Sequence, residues 1–168
     1  MSETTRTSSL TGGCQCGMIR YVVYGLPVKN VNVCHCRMCQ KAMGNVFGIF
    51  AEFRSEDVSW TRGTPSKFRS SSYGYRLFCS MCGTPLAFMP ADQTKTEITV
   101  GSLDQPIALT PEEQIGIESR LHWTSTLLEL PAKTTQENNA TSINIINYQH
   151  PDHETATSDW LNMIKNRN

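Results

Sequence analysis

The seven cysteines of this chain stand in three groups whose spacing suits metal binding. The groups are a first pair (Cys14 and Cys16), a triplet (Cys34, Cys36 and Cys39) and a second pair (Cys79 and Cys82). Thiolates a few residues apart can hold the same ion, and soft sulfur ligands favour zinc or an iron–sulfur cluster. Because the spacings differ from the common ferredoxin patterns, we expect zinc.

The number of thiols in each group indicates two unlike sites. A structural zinc site is closed by four ligands, whereas a catalytic site has three protein ligands and one exchangeable position. The two pairs together supply four thiolates, and Gly83 permits the tight turn that follows a zinc knuckle. The triplet then has the composition of an open site. Spacing alone leaves a second arrangement open, in which two thiols of the triplet join the second pair and the first pair stays free.

The segments that would position these thiols have the pattern of short β-strands. Between Leu10 and Pro131, apolar or alternating segments are interrupted by Gly and Pro, which is typical of strands joined by turns. The segments are residues 18–23, 46–53, 66–68, 77–78, 86–89 and 97–100. One helical turn is expected after Cys36, where good helix formers continue until Gly44. We therefore predict a mainly β fold.

The composition divides the chain into one domain with two polar flanks. Residues 1–9 have too few apolar side chains to offset the entropy of ordering, so we expect a flexible tail. Residues 10–131 form the predicted domain and residues 132–168 a polar C-terminal extension. In that extension we expect a β-prone run at 143–148 and a short terminal helix capped by Ser158. The helix has an apolar patch around Trp160, which we expect to pack back onto the domain; binding of a partner is the alternative.

Charge and hydropathy exclude several classes of protein. Lys plus Arg and Asp plus Glu both number 15, and no basic run is present, so we expect no nucleic-acid binding. No apolar stretch approaches the roughly 18 residues that cross a bilayer, and residues 1–9 lack the apolar part of a signal peptide. We therefore expect a cytoplasmic protein without membrane contact, whose thiols bind metal or react rather than form disulfides.

Four ordered blocks of sequence resemble the glutathione-dependent formaldehyde-activating enzyme family, which also includes the domain of centromere protein V. The blocks are residues 13–21 (GCQCGMIRY), 34–41 (CHCRMCQK), 78–86 (FCSMCGTPL) and 101–104 (GSLD), with Trp123 and residues 130–131 (LP) beyond them. The resemblance covers about residues 10–131. Family members commonly carry a His in the stretch before the Trp, where this chain has PEEQI at 111–115.

The resemblance implies a fold, two metal sites and a reaction. The fold is the family's β-tent type, built from several coiled β-sheets. The two pairs would hold a structural zinc ion and the triplet a catalytic one, which makes two Zn²⁺ per chain. The family's reaction joins the sulfur of glutathione to a small aldehyde, as in an S-(hydroxymethyl)glutathione synthase, and the reverse step is a carbon–sulfur lyase reaction.

Three residues are candidate substrate contacts. Glutathione has two carboxylates, so Arg37 and Lys41 beside the triplet are candidates to bind them, although an exposed charged turn explains both equally well. Ser71, before the second pair, can donate a hydrogen bond to a bound oxyanion, and a plain serine-rich loop is its alternative. Two other functions also fit: a non-catalytic zinc module that acts as a scaffold or binds a partner, and a lyase of a specialised pathway that acts on another thiol adduct.

Overall fold

The computed structural model describes residues 8–138 and 145–166, which form two β-sheets. The small sheet contains β1 (Ser9–Gly13), β2 (Arg20–Tyr24) and β5 (Val58–Arg62), antiparallel in the order β1-β2-β5. The large sheet contains β3 (Asn32–Cys34), β4 (Gly48–Arg54), β6 (Ser66–Arg69), β7 (Gly74–Phe78), β8 (Pro85–Pro90), β9 (Lys95–Thr99) and β10 (Glu113–Ile115). Its order is β10-β3-β4-β9-β8-β7-β6, with a parallel β10–β3 pair. The prediction of a mainly β, single-domain fold is confirmed.

The helical elements are short. They are α1 (Arg37–Met43), α2 (Thr135–Asn138) and α3 (Thr157–Lys165), with 3-10 segments at Ser55–Asp57, Val100–Ser102, Pro106–Ala108, Ile117–Ser119 and His122–Glu129. In the described ranges, none of the helices is long and apolar enough to cross a membrane. The helical turn expected after Cys36 is α1, which ends where Gly44 adopts a left-handed conformation.

One apolar core joins the two sheets. Tyr21 of β2, Phe53 of β4, Leu86 of β8 and Ile98 of β9 are fully buried in it. Burial of each such side chain contributes roughly 1.5–3 kcal/mol to folding. The core therefore fixes the strands that carry the cysteines.

The two faces of the large sheet differ in character. Ala51, Ile98, Ala87 and Leu77 lie opposite one another across β4, β9, β8 and β7, and all are buried in the core. Because side chains alternate along a strand, Arg76, Phe88 and Glu97, which adjoin these residues and lie opposite one another, point to the other side, which we call the outer face. Phe50 is on the outer face and packs with Cys34 and Cys39.

The C-terminal segment packs on the loop that holds the first pair. Trp160 in α3 donates a hydrogen bond from Nε1 to the carbonyl of Cys16 at 2.9 Å, and the backbone N–H of His150 donates to the carbonyl of Gln15 at 2.8 Å. The guanidinium of Arg62 lies 5.4 Å from the centre of the Trp160 ring. The prediction that the terminal helix packs back onto the domain is confirmed.

Several local predictions need correction. Helix α3 begins at Thr157 with Ala156 as its N-cap, so the prediction that Ser158 caps it was wrong; the Ser158 hydroxyl contacts Asp159 instead. Of the expected β-prone run at 143–148, residues 143–144 lie outside the described residues and 145–148 belong to no strand. Strand β1 begins at Ser9, one residue before the expected start, and residues 1–7 lie outside the described residues.

Candidate functional site

The first and second pairs form one cluster of four thiols. Their Sγ atoms all lie within 4.8 Å of one another. The first pair follows β1 and the second follows β7, and in the second loop the N–H of Gly83 donates to the carbonyl of Cys79 at 2.9 Å. Gly83 has a φ of 76°, which favours glycine, so this turn depends on it. The structure thus brings together the four thiols of the first and second pairs, which the sequence analysis groups into one site.

The geometry of this cluster fits a tetrahedral metal ion. The Sγ atoms of Cys14 and Cys16 are 3.5 Å apart, and those of Cys16 and Cys79 are 3.8 Å apart. Four sulfurs at the usual zinc–sulfur distance of about 2.3 Å lie about 3.8 Å from one another. Of the four cysteines, only Cys82 is not fully buried. The cluster can therefore hold a metal ion, and its four sulfurs would leave no coordination position open.

Burial and local hydrogen bonds shift the pKa values of three thiols in this cluster in different directions. Burial opposes ionisation of Cys82, but hydrogen bonds from the hydroxyl and the amide of Thr84 outweigh it and lower the pKa of Cys82 to about 6. Burial raises the pKa of both Cys16 and Cys79. Without a cation, Cys16 and Cys79 therefore resist ionisation, whereas a bound cation favours the thiolate.

A buried ion pair lies beside the first pair. Arg20 in β2 donates from both terminal nitrogens to the carboxylate of Asp104, at 2.8 and 2.5 Å. Asp104 also accepts from the hydroxyl of Thr11 at 2.5 Å. Burial opposes the ionised form, but these hydrogen bonds outweigh it and lower the pKa of Asp104. The pair links β2 to the residues after β9 and thereby supports the first loop.

The triplet forms a second cluster at the start of α1. Cys34 ends β3, Cys36 is the N-cap of α1 and Cys39 lies in its first turn, and their Sγ atoms are within 4.8 Å of one another. Cys36 Sγ accepts a hydrogen bond from the N–H of Cys39. Cys34 and Cys39 are buried and Cys36 is half-buried, so the cluster has three ligands and one accessible side. Its donor set therefore also fits a metal ion, with one position left for another ligand.

Ionisation within the triplet is uneven. Burial raises the pKa of Cys34, and it also raises that of Cys39 although Arg76 partly counteracts it. At Cys36 burial acts in the same direction, but hydrogen bonds from Cys39 and Cys34 and from the amide of Met38 outweigh it and lower the pKa. The helix N-terminus thus favours a thiolate at the most accessible of the three sulfurs.

Residues 114–119 hold the triplet in place. His35 exchanges a hydrogen bond with the side chain of Gln114 at 2.9 Å, which ties the loop of the triplet to β10. Gln40 donates to the carbonyls of His35 and Ser119 at 2.7 and 2.9 Å. Gly116 has a φ of 66°, and a Cβ there would lie 2.6 Å from the nitrogen of Cys36. Sequence spacing does not predict this support, because Gln114 and Ser119 each lie 79 positions from the residue they contact.

Arg76 of β7 was also not identified from the sequence, although it contacts the triplet. Its Nη2 donates to Sγ of Cys39 at 3.3 Å, and its guanidinium lies 4.7 Å from the ring centre of Phe88. A permanently charged guanidinium offsets part of the negative charge of three thiolates. The only sequence signal is an arginine immediately before the predicted segment 77–78.

A cavity of about 160 Å³ opens beside the triplet on the outer face. Its lining consists of Asn32, Cys34, Met38, Cys39, Phe50, Ser70, Ser71, Tyr73, Arg76, Phe88, Glu97 and Ile115. The rings of Tyr73 and Phe88 stack with centres 6.0 Å apart. Ser71, a predicted substrate contact, lines this cavity.

The other two predicted substrate contacts lie farther out. Arg37 and Lys41 are exposed on α1, and Arg37 donates to Gln40 at 3.1 Å. Lys41 borders a neighbouring groove of about 550 Å³ between α1 and β7, which shares Met38, Ser70 and Arg76 with the cavity. Neither residue is among those that line the cavity in the described parts of the chain.

The fold and these clusters define a small β-sheet domain with two cysteine clusters that could hold metal ions, one of four thiols and one of three. The chain belongs to the glutathione-dependent formaldehyde-activating enzyme family, whose sequence model matches residues 9–119. The family resemblance seen in the sequence is thereby confirmed. The match ends before Trp123 and residues 130–131, so those positions remain outside it.

One curated sequence and one solved structure illustrate what this chain is similar to. A Schizosaccharomyces pombe protein named an uncharacterized lyase is 31% identical over 77 residues, which is 46% of this chain and 55% of the relative. The chain thus spans about half the length of that relative. A crystal structure of a Rhodobacter sphaeroides protein has a TM-score of 0.51 and 20% identity, and the match covers 62% of this chain and 98% of that one. At this identity the likeness concerns the fold alone.

Proposed function

We propose that this protein is a zinc-dependent carbon–sulfur lyase or synthase that acts on the adduct of a thiol and a small aldehyde, with glutathione and formaldehyde as the reference pair. The observation that carries the proposal is the triplet, whose three thiols leave one side open onto a cavity of about 160 Å³. Membership of the family supports the reaction class, and the relative named a lyase agrees with it.

The two clusters have different roles in this proposal. Cys14, Cys16, Cys79 and Cys82 hold a structural zinc ion, and Cys34, Cys36 and Cys39 hold a catalytic one. Zinc at the triplet supplies an electrophilic site that favours the deprotonated form of a substrate thiol. Arg76 limits the net negative charge at the triplet, since it donates to Cys39.

The size of the cavity determines which part of the substrate enters. Pockets that enclose a whole small-molecule ligand usually measure about 300–1,000 Å³, whereas this one is about 160 Å³. The sulfur and the aldehyde carbon would occupy it, and the carboxylates of glutathione would stay outside, within reach of exposed Arg37 and Lys41. Ser71 would donate a hydrogen bond to the aldehyde oxygen.

The seven cysteines also bear on the cellular compartment of the protein. None of them forms a disulfide in the structure. We propose a reducing, cytoplasmic location, because metal-binding thiols persist there.

The domain proper is residues 10–131, and 132–168 form an extension to it. The partners of the protein are small molecules rather than nucleic acid or membrane.

The test combines metal counting with turnover. Native mass spectrometry of protein purified without chelators should show two zinc ions, and a Cys34→Ser/Cys36→Ser/Cys39→Ser variant should keep one ion and its circular dichroism spectrum. NMR of ¹³C-formaldehyde with glutathione should then show faster adduct formation and breakdown with wild-type protein only. A folded Cys36→Ser variant that keeps full biological function would support the scaffold alternative. Two zinc ions without acceleration would indicate another thiol adduct.

A further inference from the structure

Glu97 belongs to a row of four side chains that crosses the outer face of the large sheet. It lies opposite Glu52 of β4 and opposite Phe88 of β8, and Phe88 lies opposite Arg76 of β7. Directly opposed residues of antiparallel strands point to the same face. The row therefore ends at Arg76, which contacts the triplet through Cys39.

Three members of this row form a wall of the cavity at the triplet. Glu97, Phe88 and Arg76 line it together with Cys34 and Cys39. Among the described residues that line this space, Glu97 is the one carboxyl. A carboxyl group and two thiols of the triplet thus face the same cavity.

The two glutamates of the row differ in their partners. Glu52 pairs with Lys95 at 3.0 Å and with Lys29 at 3.5 Å. Within residues 8–138 and 145–166, the side chain of Glu97 has no hydrogen bond or ion pair. Burial raises the pKa of Glu97, the charge of Glu52 raises it further, and Arg76, Lys29 and Lys95 offset this only in part.

The reaction requires a group that can give and take a proton. A thiolate that adds to an aldehyde leaves negative charge on the former carbonyl oxygen. Arg76 can stabilise this charge by hydrogen bonds, but a guanidinium is not a group that transfers protons in proteins. The cavity contains a carboxyl whose charge is not already held by a lysine, and a carboxyl with a raised pKa is suited to acid–base work near neutral pH.

We propose that Glu97 is the proton carrier of this site, an inference that rests on the function proposed above. In the addition step, the carbon–sulfur bond forms, the carbonyl π bond breaks, and the oxygen takes the proton of the Glu97 carboxyl. In cleavage, the Glu97 carboxylate takes the hydroxyl proton while the carbon–sulfur bond breaks, and the aldehyde and the thiolate leave. Glu97 then exchanges its proton with water, and no oxidant or reductant is needed.

The decisive variant is Glu97→Gln, which keeps the shape and removes the transferable proton. We expect it to lower kcat about 10²- to 10⁴-fold in both directions, with the KM for glutathione changed less than threefold, and Glu97→Asp to recover part of the loss. In the breakdown direction the wild-type rate should rise with pH as Glu97 ionises, and Glu97→Gln should lose this limb.

Glu52→Gln is the matched control, because it removes a carboxyl on the same face whose charge is held by lysines. We expect it to retain activity. The rise of the breakdown rate with pH should move to lower pH, since one cause of the raised pKa of Glu97 is gone. A second readout needs no turnover: ¹³C NMR of the glutamate carboxyls, with the Glu97 signal assigned by its loss in Glu97→Gln, should show a midpoint above the ordinary value of about 4.3.

The outcomes separate this inference from the function on which it rests. Zinc-loaded, folded Glu97→Gln with wild-type rates and an unchanged pH profile would overturn the role of Glu97 and leave the lyase reaction standing. Wild-type protein that holds two zinc ions and accelerates neither direction, with glutathione or with any other thiol tested, would overturn both.

Discussion

Arg76 and Cys39, which lie 37 positions apart in the sequence, meet through a hydrogen bond of 3.3 Å from the guanidinium to the sulfur. The contact joins β7 to the first turn of α1. Arg76 also stacks on Phe88, so its position is fixed from both sides. A cation held in this way stabilises thiolates that burial would otherwise disfavour.

Replacing Arg76 by methionine should weaken metal binding at the triplet. Arg76→Met keeps the apolar contact with Phe88 but removes the donor to Cys39, and loss of such a supporting hydrogen bond typically costs 10- to 100-fold in metal affinity or activity. Chelator competition should show one weakened site and one unchanged site. Arg69→Met, at an exposed position of the neighbouring strand β6, is the control and should change neither. Equal affinities in wild type and Arg76→Met would contradict a role of the guanidinium at the triplet.

Gly116→Ala should disturb the triplet through a steric contact. An alanine there meets both an unfavourable φ of 66° and the Cys36 nitrogen at 2.6 Å. Gly25→Ala isolates the first effect, because Gly25 has a φ of 80° with nothing within 4 Å. We expect Gly25→Ala to cost about 1–3 kcal/mol in unfolding free energy with normal zinc content. Gly116→Ala should cost more and also lose zinc from the triplet; two variants with the same stability and metal content would contradict the contact.

The sequence was sufficient to predict the β class and the grouping of thiols, because both are local patterns. Short chelating spacings determine which cysteines act together, and the alternating runs correspond to β2, β4 and β6 to β9. The strands missed were β1, β3, β5 and β10, of which β3 and β10 have only three residues each. Such elements are stabilised by pairing with a neighbour rather than by their own pattern.

The wall of the candidate active site could not be predicted for a related reason. Arg76 and Glu97 reach the triplet only because β7, β8, β9 and β4 pair in one register, and a shift by one residue would turn both side chains into the core. Arg37 and Lys41 adjoin the cysteines in sequence, which makes them candidate substrate contacts on sequence grounds. On a helix that adjacency placed them on the exposed surface instead of in the cavity.

Trp160 should stabilise the domain through its hydrogen bond to the first loop. Trp160→Phe removes the Nε1 donor, so the Cys16 carbonyl loses this hydrogen bond. The loss should cost about 1 kcal/mol in unfolding free energy. Leu161→Ala, at a residue that is 41% exposed on the same helix, should stay within about 0.5 kcal/mol. Urea unfolding of zinc-loaded protein measures both. If Leu161→Ala were the more destabilising change, the packing of α3 would have to be revised.

His150 should make stability depend on pH in the neutral range. It is buried, its Nδ1 contacts the carbonyl of Pro151 at 2.8 Å, and its Nε2 faces the Thr155 hydroxyl at 2.8 Å and Arg62 at 3.4 Å. Neutral imidazole with the proton on Nδ1 satisfies all three contacts, whereas a second proton would face the guanidinium. Burial, and then the charge of Arg20, lower the pKa of His150.

The sign of this effect follows from proton uptake. The unfolded chain protonates His150 below about pH 6.5 while the folded chain resists, so the stabilising contribution is complete above that pH and is lost as pH falls toward the folded pKa. Wild-type protein should therefore lose unfolding free energy between pH 7.5 and about pH 5.5. His150→Gln should be less stable at pH 7.5 but lose less over this interval. His153→Gln, an exposed histidine in the same segment, controls for general charge effects. Parallel pH profiles of wild type and His150→Gln would show that His150 titrates alike in the folded and unfolded chains.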